Sequence, residues 1–169
     1  MTAILEIKTA HPEDAQIIAS LLAESFAEYE PLYTAAAFSA TTPNEAVIKN
    51  RFGEGEMWIA VLGKKIVGTV SVVPKNKSLY IRSMAILPEA RGHRIGERLL
   101  TEIENYAVAD GFGRLILSTT PFLYRAIRLY KKFGFERFGS SDLCGTPLIE
   151  MEKLCSPFGG DCVLVQSDA

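Results

Sequence analysis

A short basic segment with two glycines, Arg91 to Gly96 (RGHRIG), carries the clearest chemical signal in the sequence. It follows an apolar run, Met84 to Leu87, that stops at Pro88, and it precedes apolar positions with helical spacing. The first amides of a helix have no intrahelical acceptor and together carry about half a positive charge. A strand, this loop and a helix in that order therefore predict a binding site for a diphosphate.

The segment has neither the Gly-x-x-x-x-Gly-Lys-Ser/Thr pattern of nucleoside-triphosphate loops nor the three spaced glycines of a dinucleotide fingerprint. It resembles the Arg/Gln-x-x-Gly-x-Gly/Ala signature of the GNAT superfamily of acyl-CoA-dependent N-acyltransferases. A second segment, Ala126 to Phe135 (AIRLYKKFGF), resembles the family's Ala-Ile-x-Leu-Tyr-x-x-x-Gly-Phe block. The two motifs stand in the family's order, and the resemblance extends roughly from Leu5 to Leu154. The mismatch is Arg94, where the family usually has glycine.

The resemblance implies an α/β (α+β) fold with a central mixed, mostly antiparallel seven-stranded sheet. This sheet is expected to splay between strands 4 and 5 and to be flanked by about four helices. Local patterns place strands at 4–8, 57–62, 66–73, 79–86, 114–119, 135–138 and 148–153, and helices after Pro12, Thr42, Arg94 and Pro121. Thr42 is expected to be the N-cap of the second helix, with Glu45 completing a capping box. One domain is expected over 1–154. The tail at 155–169 contains an apolar run, 163–165, that either packs on the body or is loose.

The resemblance also implies how a co-substrate binds. Acetyl-CoA is expected in the cleft between the splayed strands, with its pantetheine arm on the backbone of strand 4 and its pyrophosphate on the loop amides. The implied cofactor-binding residues are Met84, Ala85, Ile86, Arg91, Gly92, His93, Arg94, Ile95, Gly96 and Leu123, the last replacing an asparagine that is frequent in the family.

Direct attack of an amine on a thioester needs proton handling at both ends. Tyr130 stands where the family's tyrosine acts as the general acid for the leaving thiolate. The same residue also continues an apolar stripe with Leu123 and Ile127, which is typical of a core position.

The proton acceptor for the amine is not evident. Two branches of the family carry a glutamate at positions that are Tyr80 and Ser118 here. Glu28 is a candidate base, and a water chain to the solvent is an equally good route. An acidic and aromatic lip would suit a cationic amine; its expected acceptor-binding residues are Glu24, Tyr29, Tyr33, Tyr80 and Ser118.

Composition limits the remaining possibilities. The 169 residues include 48% hydrophobic and 22% charged residues with a net charge of −2, so nucleic acid is not expected as a partner. No membrane span and no secretion signal are expected. The three cysteines have no metal-ligand spacing, and free thiols in a cytoplasmic protein without a metal site are expected. The sequence has no surface signature that decides between a monomer and a homodimer.

Two classes of function are compatible with these features. The first is an N-acetyltransferase that transfers acetyl from acetyl-CoA to a primary amine of a small molecule or peptide. The second is a non-catalytic acyl-CoA-binding module that acts as a sensor or regulator. Retention of Tyr130 favours the enzyme.

Overall fold

The computed structural model describes residues 3–155, and this part of the chain contains seven strands and five α-helices. The strands are β1 (Leu5–Thr9), β2 (Met57–Leu62), β3 (Lys65–Lys75), β4 (Ser78–Ile86), β5 (Arg114–Thr119), β6 (Glu136–Leu143) and β7 (Thr146–Leu154). The helices are α1 (Ala15–Phe26), α2 (Ala35–Thr41), α3 (Glu45–Arg51), α4 (Ile95–Ala109) and α5 (Tyr124–Phe133).

All seven strands form one sheet in the order β1-β2-β3-β4-β5-β7-β6. Every neighbouring pair is antiparallel except β4 and β5, which are parallel. A parallel pair requires a crossover, and α4 supplies it. The predicted mixed, mostly antiparallel seven-stranded sheet is confirmed.

The sheet opens between its two parallel strands. β4 and β5 are paired only from Ser78 to Ile81 on β4 and from Arg114 to Leu117 on β5. The remaining part of β4, from Arg82 to Ile86, pairs with β3 but has no partner on the β5 side. The splay expected between strands 4 and 5 is therefore present.

A β-bulge marks the point at which β4 turns away. Thr69 of β3 pairs with Ala85, whereas Ser71 pairs with Arg82, so two β4 residues oppose Val70 alone. One of the two is Ser83, whose φ of +56° is rare for a residue other than glycine. Such a bulge bends a strand and increases its local twist, which separates the end of β4 from β5.

Helices cover both faces of the sheet. Met57 of β2 lies beside Ile18 and Leu22 of α1, whereas the next residue, Trp58, contacts Tyr106 of α4 edge-on at 5.3 Å. Because side chains alternate along a strand, this places α1 and α4 on opposite faces. The buried face of α4 consists of Ile95, Leu99, Leu100, Ile103 and Ala107. Complete burial of a leucine or isoleucine side chain is worth about 1.5–3 kcal/mol.

The structure corrects some local expectations. Five α-helices are present rather than about four, because α2 follows the proline-containing 3₁₀ segment Ala27–Leu32. The side chain of Asn44, not that of Thr42, caps α3 by accepting from the Val47 amide. Pro121 does not open α5, which begins at Tyr124. The apolar run at 163–165 and Cys162 lie outside the described residues. No helix within residues 3–155 has the length and apolar character that a membrane span requires.

Gly55 allows the segment after α3 to lie against β3. A Cβ placed on Gly55 would be 2.0 Å from the Val72 carbonyl oxygen, whereas one on Gly53 would meet nothing closer than 3.6 Å. We expect Gly55→Ala to lower the free energy of unfolding by about 1–3 kcal/mol, because backbone must move to admit the methyl group. Gly53→Ala, the matched control, should change it by less than about 0.5 kcal/mol. Equal urea midpoints for the two variants would contradict this packing.

Candidate active site

The separation of β4 from β5 opens a cavity of about 370 Å³. Its walls include the bulged end of β4, the end of β5, the N-terminal half of α5 and the 3₁₀ segment after α1. The predicted residues that line it are Tyr29, Tyr33, Tyr80, Met84, Ala85, Ile86, Arg91, Ser118, Leu123 and Tyr130. Residues from both predicted motifs and from the acceptor side are thus brought together, while their individual roles stay predictions.

The other predicted cofactor-binding residues, Gly92, His93, Arg94, Ile95 and Gly96, do not line this cavity and follow Arg91 directly. Within residues 3–155 no protein acceptor bonds to the amide of any of these five. The ring Nδ1 of His93 bonds to the Ala90 carbonyl at 2.9 Å, so this side chain belongs to the loop. The uncapped amides at the start of a 15-residue helix carry a partial positive charge beside Arg91 of the cavity wall, which fits the predicted anion site.

Two residues of the loop need a left-handed backbone. Gly92 has φ +91°, and Arg94, the residue before α4, has φ +57° and ψ +27°. This conformation costs an L-residue about 1–2 kcal/mol. The cost explains why the family signature usually has glycine at the position of Arg94. The turn is retained despite the arginine, and its guanidinium remains exposed beside the anion site.

Gly96 brings the two motifs into contact. A Cβ at Gly96 would be 2.5 Å from a methyl carbon of Leu129, so only glycine lets α5 approach the first turn of α4 this closely. Leu129 is the neighbour of Tyr130 in the chain. The contact between α4 and α5 therefore links the loop from Arg91 to Gly96 (the anion loop) to the helix that carries Tyr130.

Tyr130 is both a core residue and a cavity residue. Only 7% of its surface is exposed, and its ring packs edge-on against Phe135 at 5.8 Å. Burial raises the pKa of its phenol, with smaller contributions from Tyr80 and Tyr33, so the hydroxyl is protonated at neutral pH. The two interpretations of Tyr130 made from the sequence are compatible, because the ring is packed while the residue lines the cavity.

Three side chains form a hydrogen-bond chain away from the cavity. The Tyr80 hydroxyl donates to Ser118 Oγ at 3.2 Å, and Ser118 Oγ donates to Glu150 Oε2 at 2.7 Å. Ser141 donates to the other carboxylate oxygen of Glu150. Tyr80 and Ser118 are the positions at which related branches carry glutamates. Here they connect the cavity to a carboxylate on β7.

The acidic lip expected from Glu24 and Glu28 is not part of the cavity wall. Neither residue lines the cavity, and both are exposed on the side of α1 and the segment after it. Glu28 accepts from Arg91 Nη2 at 2.5 Å. Its carboxylate is directed toward the anion loop, where it compensates an arginine charge, and the geometry offers no direct contact with an amine in the cavity.

Aromatic side chains form the wall of the acceptor side. Tyr33 contacts Phe122 edge-on at 4.9 Å and Phe38 at 5.9 Å, and Tyr29 lies 6.1 Å from Phe122. Burial raises the pKa of the Tyr33 phenol, which lies beside the hydroxyls of Thr120 and Thr41. This wall is apolar with hydroxyl groups at its edge, and α2 and the turn before α5 hold it in place.

Several cavity residues carry no signal in the sequence. Arg51 at the end of α3 donates from Nη1 to Ser83 Oγ at 2.8 Å, and the bulge presents that hydroxyl. Arg82 precedes Ser83 on β4 and pairs with Glu54 at 2.5 Å. Glu150, at the end of the hydrogen-bond chain, is far from both motifs in sequence. Glu150 lies near Ser118 only because the register of β5 with β7 pairs these two residues.

Comparison with known proteins gives the family. The model of the acetyltransferase (GNAT) family matches residues 17–135, more than half of the chain. The chain belongs to the GNAT acetyltransferase family. The first motif lies within the matched range, and the second ends at its last residue.

Relatives and solved structures agree with this assignment. The mouse N-acetyltransferase family 8 member 7 is 27% identical over 117 residues, which cover 62% of this chain and 52% of that protein. The chain thus spans about half the length of this relative. The PaiA N-acetyltransferase of Thermoplasma acidophilum, solved in complex with coenzyme A, has TM-score 0.75 and 20% identity, covering 89% of this chain and 99% of that one. The ribosomal-protein-S18-alanine N-acetyltransferase of Escherichia coli has TM-score 0.75 and 15% identity, covering 95% and 99%. These two likenesses show the fold.

The glycine of the anion loop provides a direct test of the site. A Cβ on Gly92 would meet no atom within 4 Å, yet φ is +91°, so Gly92→Ala is strained by conformation alone. We expect it to weaken coenzyme A binding, measured by calorimetry, by about tenfold, because a strain of about 1–2 kcal/mol shifts the loop. Gly113→Ala is the control, since its Cβ is equally free and its φ is ordinary. Unchanged affinity in Gly92→Ala would argue against the loop as the phosphate site.

Proposed function

We propose that this protein is an N-acetyltransferase that transfers acetyl from acetyl-CoA to a primary amine of a small molecule or peptide by direct attack. The observation that carries this proposal is the arrangement along one cavity of an unpaired β4 edge, a tyrosine hydroxyl and a loop of uncapped amides. Membership of the GNAT family and the coenzyme A in the PaiA structure support the choice of co-substrate.

The chain offers a matching group for each part of acetyl-CoA. Amides from Gly92 to Gly96 would hold the pyrophosphate, and the exposed Arg94 would add charge, since Arg91 is paired with Glu28. The free edge of β4 between Met84 and Ile86 would accept the amide-bearing pantetheine arm as a strand accepts a neighbour. Acetyl-CoA supplies an activated acetyl thioester, and the protein has to orient it toward the amine.

Tyr130 is proposed as the general acid. When the amine nitrogen forms its bond to the acetyl carbon, the bond from that carbon to sulfur breaks. Tyr130 then donates its proton to the departing sulfur, which leaves as a thiol, and the remaining phenolate regains a proton from the solvent before the next turnover. The raised pKa of this buried phenol keeps the proton available throughout the neutral range.

Glu150 is proposed as the final acceptor of the amine proton. Tyr80 accepts that proton and passes its own to Ser118, which passes its own to Glu150, so each hydroxyl is restored and the carboxylate becomes a carboxylic acid. Glu150 is half-buried, so the proton can leave to the solvent. This route replaces the carboxylates that other branches of the family place at the two hydroxyl positions.

The acid is tested by Tyr130→Phe. We expect kcat to fall by about 10²-fold while the Kd for coenzyme A, measured by calorimetry, changes by less than about twofold, because only the hydroxyl is removed. Since burial raises the pKa of Tyr130 above its ordinary value of 10.0, the wild-type protein should show no loss of kcat from this group as pH rises to about 10. Unchanged turnover in the variant would exclude this role for Tyr130.

The proton route is tested by comparing two serines that both bond to Glu150. Ser118→Ala interrupts the chain from Tyr80, whereas Ser141→Ala removes a bond to the other carboxylate oxygen and leaves the chain intact. We expect kcat/KM to fall by about 10- to 100-fold in Ser118→Ala and in Glu150→Gln, and by less than about threefold in Ser141→Ala.

The pH dependence separates proton transfer from a structural effect. A primary amine with a pKa near ~10.4 is already neutral above that pH, so the deficit of Ser118→Ala should shrink as pH rises. A deficit that is constant across pH would contradict the route.

A further inference from the structure

The charged residues that line the cavity are all arginines. Its lining includes Arg51, Arg82, Arg91 and Arg125, and no aspartate or glutamate among the described residues. Arg82 and Arg91 are paired with Glu54 and Glu28, so Arg51 and Arg125 are the two whose charge no carboxylate of the described chain neutralises. An acceptor that binds here needs a negative group of its own or a part that lies against the arginines.

Arg51 has unused hydrogen-bonding capacity. A guanidinium has five N–H donors, and within residues 3–155 the one protein acceptor bonded to Arg51 is Ser83 Oγ. No carboxylate of the described chain lies within ion-pair distance of it. Burial, together with the neighbouring charge of Arg82, lowers the pKa of Arg51 to about 10. A bound anion would satisfy the free donors and relieve the repulsion.

Arg82 lies in the middle of β4, whereas Arg91 lies beyond the end of this strand. Arg91 follows the strand and precedes the anion loop, whereas Arg82 is four residues before Ile86, the last residue of β4. At a rise of about 3.3 Å per residue, that separation is roughly 13 Å along the strand. Arg51 and Arg82 therefore lie on the acceptor side, away from the amides assigned to the pyrophosphate.

We infer that the acceptor is a small amine that carries a carboxylate, and that Arg51, with Arg82 beside it, binds this carboxylate while the amine lies at Tyr80. This inference rests on the proposed function and specifies its substrate class. Tyr29 and Tyr33, which line the same cavity and pack against Phe122, would accept an apolar side chain. Amino acids with an apolar or aromatic substituent have all three features.

The experiment uses matched amines and release of the coenzyme A thiol. Each amino acid is paired with its carboxamide, first in an ω-amino series from glycine to 6-aminohexanoate and then with aliphatic and aromatic α-amino acids. We expect the carboxylate member of the best pair to be used with a kcat/KM about 10- to 100-fold higher than its carboxamide, as for a charge-assisted bidentate contact. The best chain length measures the distance from the arginines to the reacting carbon.

Arg51→Gln is the decisive variant. It should raise KM for the carboxylate member by about 10- to 100-fold and leave kcat/KM for the carboxamide within about twofold, which removes the selectivity. Activity on the carboxamide shows that the variant is folded, and Arg51→Lys should recover part of the selectivity. Lys49→Gln is the matched control, because it removes a positive charge from the same helix at an exposed residue that lines no part of the cavity. It should leave the selectivity unchanged.

The outcomes distinguish this inference from the proposed function. Equal or better use of the carboxamides, with transfer occurring, would overturn the carboxylate-bearing acceptor and leave the acetyltransferase standing. Selectivity that persists in Arg51→Gln would overturn the assignment to this arginine. Absence of transfer to every amine of the panel, with coenzyme A bound in calorimetry, would overturn the carboxylate-bearing acceptor. Transfer to a peptide amine in the same assay would then leave the acetyltransferase standing, and its absence would overturn that proposal too.

Discussion

The separation of β4 from β5 after four paired positions is the constraint on which the site depends. A continuous sheet would bury the backbone groups of Met84 and Ile86 in strand pairing and would leave no room for a substrate. The bulge at Ser83 produces the separation, because an extra residue bends β4 away from its parallel neighbour. The Ser83 hydroxyl at the same bulge accepts from Arg51, so one irregularity both opens the sheet and positions a charged residue of the cavity wall.

The anion loop is a second local irregularity whose cost is offset elsewhere. Arg94 in the left-handed region costs about 1–2 kcal/mol. The buried face of α4 is worth several times that amount, since each of its fully buried leucines and isoleucines contributes about 1.5–3 kcal/mol. The helix therefore keeps its position and its free amides even without glycine before its first turn. Gly96 then lets α5 pack on the start of α4, which fixes Tyr130 relative to the loop.

The hydrogen-bond chain that begins at Tyr80 is arranged on strands rather than in flexible loops. Tyr80 lies on β4, Ser118 on β5 and Glu150 on β7, and the register of the sheet fixes their order. Strand positions hold side chains with less freedom than loop positions, which suits the proton route proposed for this chain. The carboxylates of α1 and the segment after it remain outside, where Glu28 compensates Arg91.

The sequence by itself determined the elements and the two motifs. The strand from Ser78 to Ile86, the basic loop, the amphipathic α4 and the block that ends at Phe135 are each specified by residues close together in the chain, so local periodicity and glycine positions were sufficient. The seven-stranded mixed sheet and its splay were predicted from the family resemblance of these motifs. Expectations failed where two local signals competed. Asn44, two residues after Thr42, caps α3 in its place. α2 has too few residues to show a helical period.

Only the tertiary structure decided the composition of the cavity. The contact of Arg51 with Ser83 depends on the bulge, and the contact of Ser118, a cavity residue, with Glu150 depends on the register of β7 against β5. Neither feature leaves a local pattern, since a positive φ at serine and a strand register are set by the packing of distant segments. The sequence shows that Glu24 and Glu28 are close along the chain to Tyr29 and Tyr33. It could not show that they lie outside the cavity, because which side of a helix faces a cavity is decided by the elements packed around it.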